Sequence, residues 1–136
     1  TEFNLNDFSA SSSFHIISQS HVQAFPQTTN TRPIKVKVER LDDILSGYDL
    51  EEELLIKVDV QGFEDKVIAG GKVTFSKAKI LLIEVSFVTL YESQPLFEDI
   101  YAQFISTGFR YAGNLDQVVN PVNGEILQAD AIFIRN

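Results

Sequence analysis

Four residues in "KVDVQGFED" carry groups suited to chemistry: Asp59, Gln61, Gly62 and Glu64. A fifth, Glu84, stands in "LLIEVS". Both Asp59 and Glu84 follow apolar runs, so each reads as the end of a buried strand. In open parallel sheets, ligands bind beyond the carboxyl ends of the strands. If the two strands are neighbours, both carboxylates rise at one rim. Paired acids there suit a ligand site, or a metal for hydrolysis, although no histidine lies near them in sequence to support the metal. Structural duties compete. Asp59 can cap the helix that follows or pin its turn, and Glu84 can close a salt bridge. Gln61 is a weaker ligand contact. Gly62 lets the backbone turn close to a ligand.

The elements around these residues follow from periodicity. "TEFNLNDF" opens with a short strand through Phe3 and Leu5, and "SASSSF" and "FPQTTNTRP" read as loops marked by Pro26 and Pro33. "IKVKVERL" alternates, with Ile34, Val36 and Val38 on one face, as a strand with one wet side does. "LDDILSGY" is a short helix stopped near Gly47. "ELLIKVDV" is apolar on both faces apart from Lys57, the pattern of an interior strand of a parallel sheet. "FEDKVIAGG" is a helix with acids in its first turn and glycines at its end. "AKILLIEVSFV" is a second strand. "QPLFEDIYAQFISTG" is a helix with Pro95 at its first position and an apolar face through Leu96, Ile100 and Phe104. "GFRYAGNL" is a third strand of the sheet. The Asn-Gly of "NPVNGE" predicts a hairpin into a last, antiparallel strand, "EILQADAIFIRN". Alternating strands and helices imply an α/β sheet with right-handed crossovers.

Length and composition narrow the function. The 136 residues fit a single domain, with 1–33 a polar strand-and-loop segment and 34–136 the α/β core. A net charge of -8 argues against nucleic acid and against an anionic membrane surface as partners. The acidic run "DDILSGYDLEEE" reads as a solvated helix and loop. No apolar run approaches the ~18 residues of a membrane helix. The absence of cysteine excludes thiol catalysis and disulfides and sits well with a cytoplasmic setting. The absence of methionine marks a processed product or part of a longer chain.

Other constellations are thin. His15 and His21 are six apart in a loop-like segment and read as exposed. Ser11 to Ser13 lack the glycines of a nucleophile elbow. No glycine-rich loop follows a first strand, so no phosphate cradle is present. Phe63, Phe75, Phe87 and Phe109 read as core.

The stretches "IKVDVQGFEDKVIAGG", "LLIEVSFVTLYESQPLFEDIY", "GFRYAGN" and "GEILQADAIFIR" resemble the FkbM family of S-adenosylmethionine-dependent methyltransferases. The likeness runs from about Leu54 to the last residue, and "SSSF" and "VKVERLDDIL" resemble the section before the turn. It implies a partial Rossmann-like methyltransferase sheet, mostly parallel with an antiparallel C-terminal hairpin strand. It implies S-adenosylmethionine as cofactor and a hydroxyl of a sugar or other small metabolite as acceptor. Asp59 and Glu84 are then the catalytic pair. Asp59, Gln61 and Gly62 meet the cofactor, Ser12, Ser13 and Glu64 meet the acceptor, and no metal is needed. Family members start with a strand and a glycine-rich cofactor loop that these residues lack. The chain is therefore expected to be a C-terminal portion, inactive alone, with a sheet edge open for association. The competing reading is a non-catalytic α/β module that docks on a partner chain.

Overall fold

The computed structural model describes residues 1–51 and 53–135; Glu52, in the acidic run, lies outside them. Two sheets form. β1 (Glu2–Asn6) and β2 (Thr31–Lys35) pair antiparallel as a small ribbon. β3 (Leu54–Val58), β4 (Ala78–Ser86), β5 (Arg110–Val119) and β6 (Ile126–Ile134) make a four-stranded sheet in the order β3-β4-β6-β5. β3 and β4 are parallel, while β6 runs antiparallel to both β4 and β5. The α/β class and the antiparallel last strand thus match the sequence reading. The expectation of a mostly parallel sheet does not hold: β6 inserts between β4 and β5, leaving one parallel pairing and two antiparallel ones.

Alternation along β4 sets the two faces of this sheet. Leu81, Ile83 and Val85 point to one side and are at most 2% exposed. They pack with Val58, with Ala131 and Phe133 of β6, and with three helices. These helices are α3 (Glu64–Gly70), α4 (Lys72–Lys77) and α5 (Phe97–Ser106), contributing Ile68, Phe75 and Ile100 with Phe104. Each such aliphatic side chain contributes about 1.5–3 kcal/mol when fully buried. Leu82, Glu84, Asp130 and Ile132 point the other way and are only partly covered. Among the described residues no helix is long and apolar enough to cross a membrane.

Several expectations change for local reasons. The strand read over "IKVKVERL" is displaced upstream to Thr31–Lys35 and includes Pro33. Its partner β1 is five residues long, so pairing ends at Glu2 and Lys35, and Val38 is left 51% exposed. A two-stranded ribbon tolerates Pro33, because an edge strand need not donate from every position. β3 reads as an interior strand yet stands at the sheet's edge, with Leu55 56% exposed. α5 starts at Phe97 and not at Pro95, since the Asp99 carboxylate accepts the Leu96 N–H at 3.0 Å and fixes the start there. Gly71 does not end the helical path; α4 follows at once. A Cβ on Gly71 would lie 2.8 Å from Leu41 Cδ2 and 3.0 Å from the Phe75 ring, so a side chain here would push Leu41 and Phe75 aside.

A short helix also forms where the sequence shows no helical period. α1 (Gln19–Ala24) is capped by Ser18, whose Oγ accepts the His21 N–H. It is tied to the segment after β4 by Ser18 N–H to Leu90 O at 2.8 Å. α2 (Leu41–Leu45) lies at the start of the acidic run. There Asp42 is more than a solvated charge: it accepts the N–H groups of Val73 and Thr74 at 3.0 and 2.9 Å, at the start of α4. Burial pushes its carboxyl up, but the Thr74 and Val73 bonds outweigh that and hold it below the usual carboxylate range. Of the four phenylalanines read as core, Phe75 and Phe109 are buried, Phe63 is half-buried, and Phe87 is 37% exposed.

Candidate active site

The register of the parallel pair brings the two acids together. Val58 pairs with Ile83, so the next residues, Asp59 and Glu84, lie side by side. Glu84 is not the end of its strand, since β4 continues to Ser86 and Glu84 faces Asp130 on β6. The Gln61 side chain links the two acids. Its Nε2 donates to Asp59 Oδ1 and to Glu84 Oε2, both at 2.8 Å. Its Oε1 accepts the Tyr91 hydroxyl at 2.8 Å. Gln128 Nε2 donates a further bond to Glu84 Oε2 at 3.0 Å.

This placement requires an unusual backbone. Gln61 has φ +55, in the left-handed region that side chains seldom enter. Ser13 holds it there: its hydroxyl donates to Gln61 O at 2.6 Å. Gly62 follows at φ +90, and a Cβ there would lie 3.0 Å from Gln94 Cβ and 3.2 Å from Tyr91 Cβ. The bend therefore lies against the segment that carries Tyr91. Glu64 turns inward, where its Oε1 accepts the N–H groups of Val60 and Gly62 at 3.2 Å each. Residues held in sparsely populated backbone regions cluster at functional sites.

Electrostatics separate the acids. Burial first, then the charges of Asp59, Glu64 and Asp130, push the Glu84 carboxyl up to about 8, against a smaller opposing pull from Lys57. Burial also raises Glu64, opposed by the backbone N–H groups around it. Burial raises the Tyr91 phenol, so it remains a hydrogen-bond donor at neutral pH. Lys57 Nζ lies 3.2 Å from Asp130 Oδ2 and 3.8 Å from Asp59 Oδ2. Burial pulls Lys57 down, but its bond to Asp130 and the nearby carboxylates outweigh this and raise it.

An open cleft of about 530 Å³ lies over this cluster, walled by Asp59, Gln61, Glu84, Ser12, Phe3 and Phe14. The two rings stack edge-on at 4.9 Å; among the described residues, those that line the cleft include no lysine or arginine, and Lys57 Nζ lies 3.8 Å from Asp59 Oδ2 on its wall. Of the residues singled out from sequence, Asp59, Gln61, Glu84 and Ser12 face this cleft. Ser13, Gly62 and Glu64 are buried beneath it and shape the bend. Ser12 Oγ accepts the Asn6 N–H at 3.0 Å. Tyr91, Gln128 and Asp130 were not singled out from sequence. They come from the aperiodic stretch before α5 and from the last strand, and only the fold brings them to Glu84. The two histidines are not exposed as expected: His21 is 4% exposed and His15 half-buried. Among the described residues, no group of three or more histidine and acidic side chains is placed to hold a metal ion.

Comparison with known proteins adds the family. The chain is 42% identical over 76 residues to 2-O-methyltransferase NoeI of Sinorhizobium fredii (strain NBRC 101917 / NGR234). That stretch is 56% of this chain and 31% of the relative, so the chain matches about a third of the relative's length. No solved structure matches significantly. A family profile, the Methyltransferase FkbM domain, matches residues 2–111. It begins well before Leu54, taking in the β1–β2 ribbon and the serine segment, and it ends before the β5–β6 turn. The chain belongs to the FkbM methyltransferase family.

Proposed function

We propose that this chain is part of an S-adenosylmethionine-dependent O-methyltransferase acting on a hydroxyl of a sugar or similar small metabolite. The observation that carries this reading is the carboxyl pair of Asp59 and Glu84, joined by Gln61 at one side of an open cleft. When bound, S-adenosylmethionine supplies an electrophilic methyl group on a positively charged sulfur. The residues present fit such a molecule. The cleft offers carboxyl oxygens to positive charge and two phenyl rings to an aromatic base. Asp59 and Gln61 would hold it, with Gly62 shaping the bend beneath.

The chain's own groups then have distinct tasks. Gln61 keeps Asp59 and Glu84 at fixed separation. Glu84, with its carboxyl near 8, can take or hold a proton close to neutral pH, where general acid–base groups work best. Asp59 faces the cleft and orients the acceptor hydroxyl, and Ser12 stands on the same wall. Most of the catalytic effect expected of such a site is positioning. The Rossmann-like methyltransferase architecture is part of this proposal. So is the open edge of β3, where a further strand can add.

The test is transfer of labelled methyl from S-adenosylmethionine to neutral sugars by the protein that carries this chain. Asp59→Asn should lower turnover by about 100-fold, the scale of a lost acid–base or orienting group. Unchanged turnover in Asp59→Asn, with the fold intact, would remove the assignment. Calorimetry with S-adenosylhomocysteine reads cofactor binding separately.

A further inference from the structure

A second recess, of about 200 Å³, adjoins the cleft and shares Gln61 and Ala10 with it. It lies beneath the turn at Ser9–Ser11, and its walls include His21, Phe8, Phe25, Gln27, Gln61 and Gln128. Among the described residues, no charged side chain lines it. Its volume is comparable with one six-membered sugar ring and too small for a chain of them.

His21 is the unusual member of this wall. It is 4% exposed, and its Nδ1 is buried with no hydrogen-bond partner among the described residues. Its ring packs edge-on against Phe25 at 5.4 Å and Tyr91 at 5.2 Å. Burial lowers its pKa, so the imidazole is neutral, with one nitrogen that donates and one that accepts. Buried polar groups are nearly always satisfied, and one that is not calls for an explanation. The family reading gives His21 no task. Tyr91 joins the two spaces: its ring lies against His21 and its hydroxyl donates to Gln61, the residue that holds the acids.

We propose that this recess binds the acceptor as a single neutral, hydroxyl-rich ring, with the His21 imidazole bonding one of its hydroxyls. Phe8 and Phe25 offer apolar faces to the ring's C–H groups, and the Gln27 amide, with the remaining N–H and the oxygen of Gln128, offers donors and acceptors. Shared walls at Gln61 bring a ring seated here to the edge of the carboxyl cleft, where a second hydroxyl meets Asp59. The inference rests on the O-methyltransferase reading for what the ring is, but places it by geometry that reading does not use.

The test is an NMR titration of the ¹⁵N-histidine-labelled protein that carries this chain with methyl glycosides of neutral hexoses. Saturable shifts of the His21 ring nitrogens, with His15 unmoved, are expected. His21→Phe keeps the aromatic packing and should weaken glycoside binding by about tenfold, the scale of one hydrogen bond. Phe8→Ala changes an exposed ring outside the core and should weaken binding severalfold, so the proposal stays testable if His21→Phe fails to fold. Absence of glycoside binding, binding that leaves the His21 nitrogens unmoved, or equal affinity in a folded His21→Phe would each overturn it. Calorimetry with S-adenosylhomocysteine separates the two readings. Cofactor binding with no response at His21 overturns this recess alone, whereas loss of cofactor binding and of methyl transfer strikes the proposed function.

Discussion

Adjacent residues of one strand, Ile83 and Glu84, occupy opposite faces of the same sheet and have opposite fates. Ile83 is fully buried against helices α3 to α5, with Leu81 and Val85 beside it. Glu84 faces a side that the described residues cover only in part, among Lys57, Asp59, Asp130 and Gln128. The strand alternates with period two, so the backbone supplies both faces equally. What differs is the partner layer. Where helices pack, free energy comes from apolar burial. Where they do not, the same strand can hold carboxyl groups together at a cost that the packed face offsets.

Substitutions should divide along that line. Ile83→Ala removes a fully buried side chain, and chemical denaturation should show a loss of about 2–5 kcal/mol. A loss below about 1 kcal/mol would mean the helix-packed face is not the stabilising one.

Glu84→Gln comes next and carries a pH signature. The folded protein raises this carboxyl from 4.5 to about 8, so between those values it holds a proton that the unfolded chain releases. The stability tied to Glu84 is thus complete below about pH 4.5 and is lost as the pH climbs to about 8. Glutamine keeps an oxygen for Gln61 and Gln128 but cannot ionise. Above pH 8 the variant should be more stable than the parent by about 1–2 kcal/mol, after allowance for solvent screening, and near pH 4 the two should converge. Parallel stability curves across this range would contradict the burial of Glu84.

Leu82→Ala, on the same face as Glu84, should cost about 1 kcal/mol, because a half-covered side chain has less transfer free energy to lose. A cost equal to that of Ile83→Ala would erase the contrast between the faces. Lys57→Met is expected to change stability least, by no more than about 0.5 kcal/mol, since its ion pairs with Asp59 and Asp130 are partly solvated. Thermal melts at low and high salt would read it.

The legible part of this chain is what local pattern controls. The β3 turn and β4, the amphipathic α5 and the Asn-Gly hairpin all follow from spacing within about ten residues. The pairing of Asp59 with Glu84 spans two strands, and follows once those strands are neighbours, because parallel neighbours align their ends. Distant contacts left no local trace. Asp42 looks like one more surface acid until the fold brings it to the start of α4, some thirty residues on. His21 sits in a polar stretch without helical period and is buried by Phe25 and Tyr91. β3 illustrates the opposite failure. Its apolar character suits an interior strand, but strand order depends on which segments are available to pair.

Asp59, Gln61 and Glu84 form one coupled site in which Glu84 is forced to keep its proton near neutral pH. The direct measurement is a ¹³C NMR titration of the Glu84 side-chain carboxyl, assigned by its loss in Glu84→Gln. A midpoint near 8 that falls when Asp59→Asn removes the neighbouring charge is the expected result. A midpoint near 4.5, insensitive to Asp59, would show two independent surface acids and no shared site.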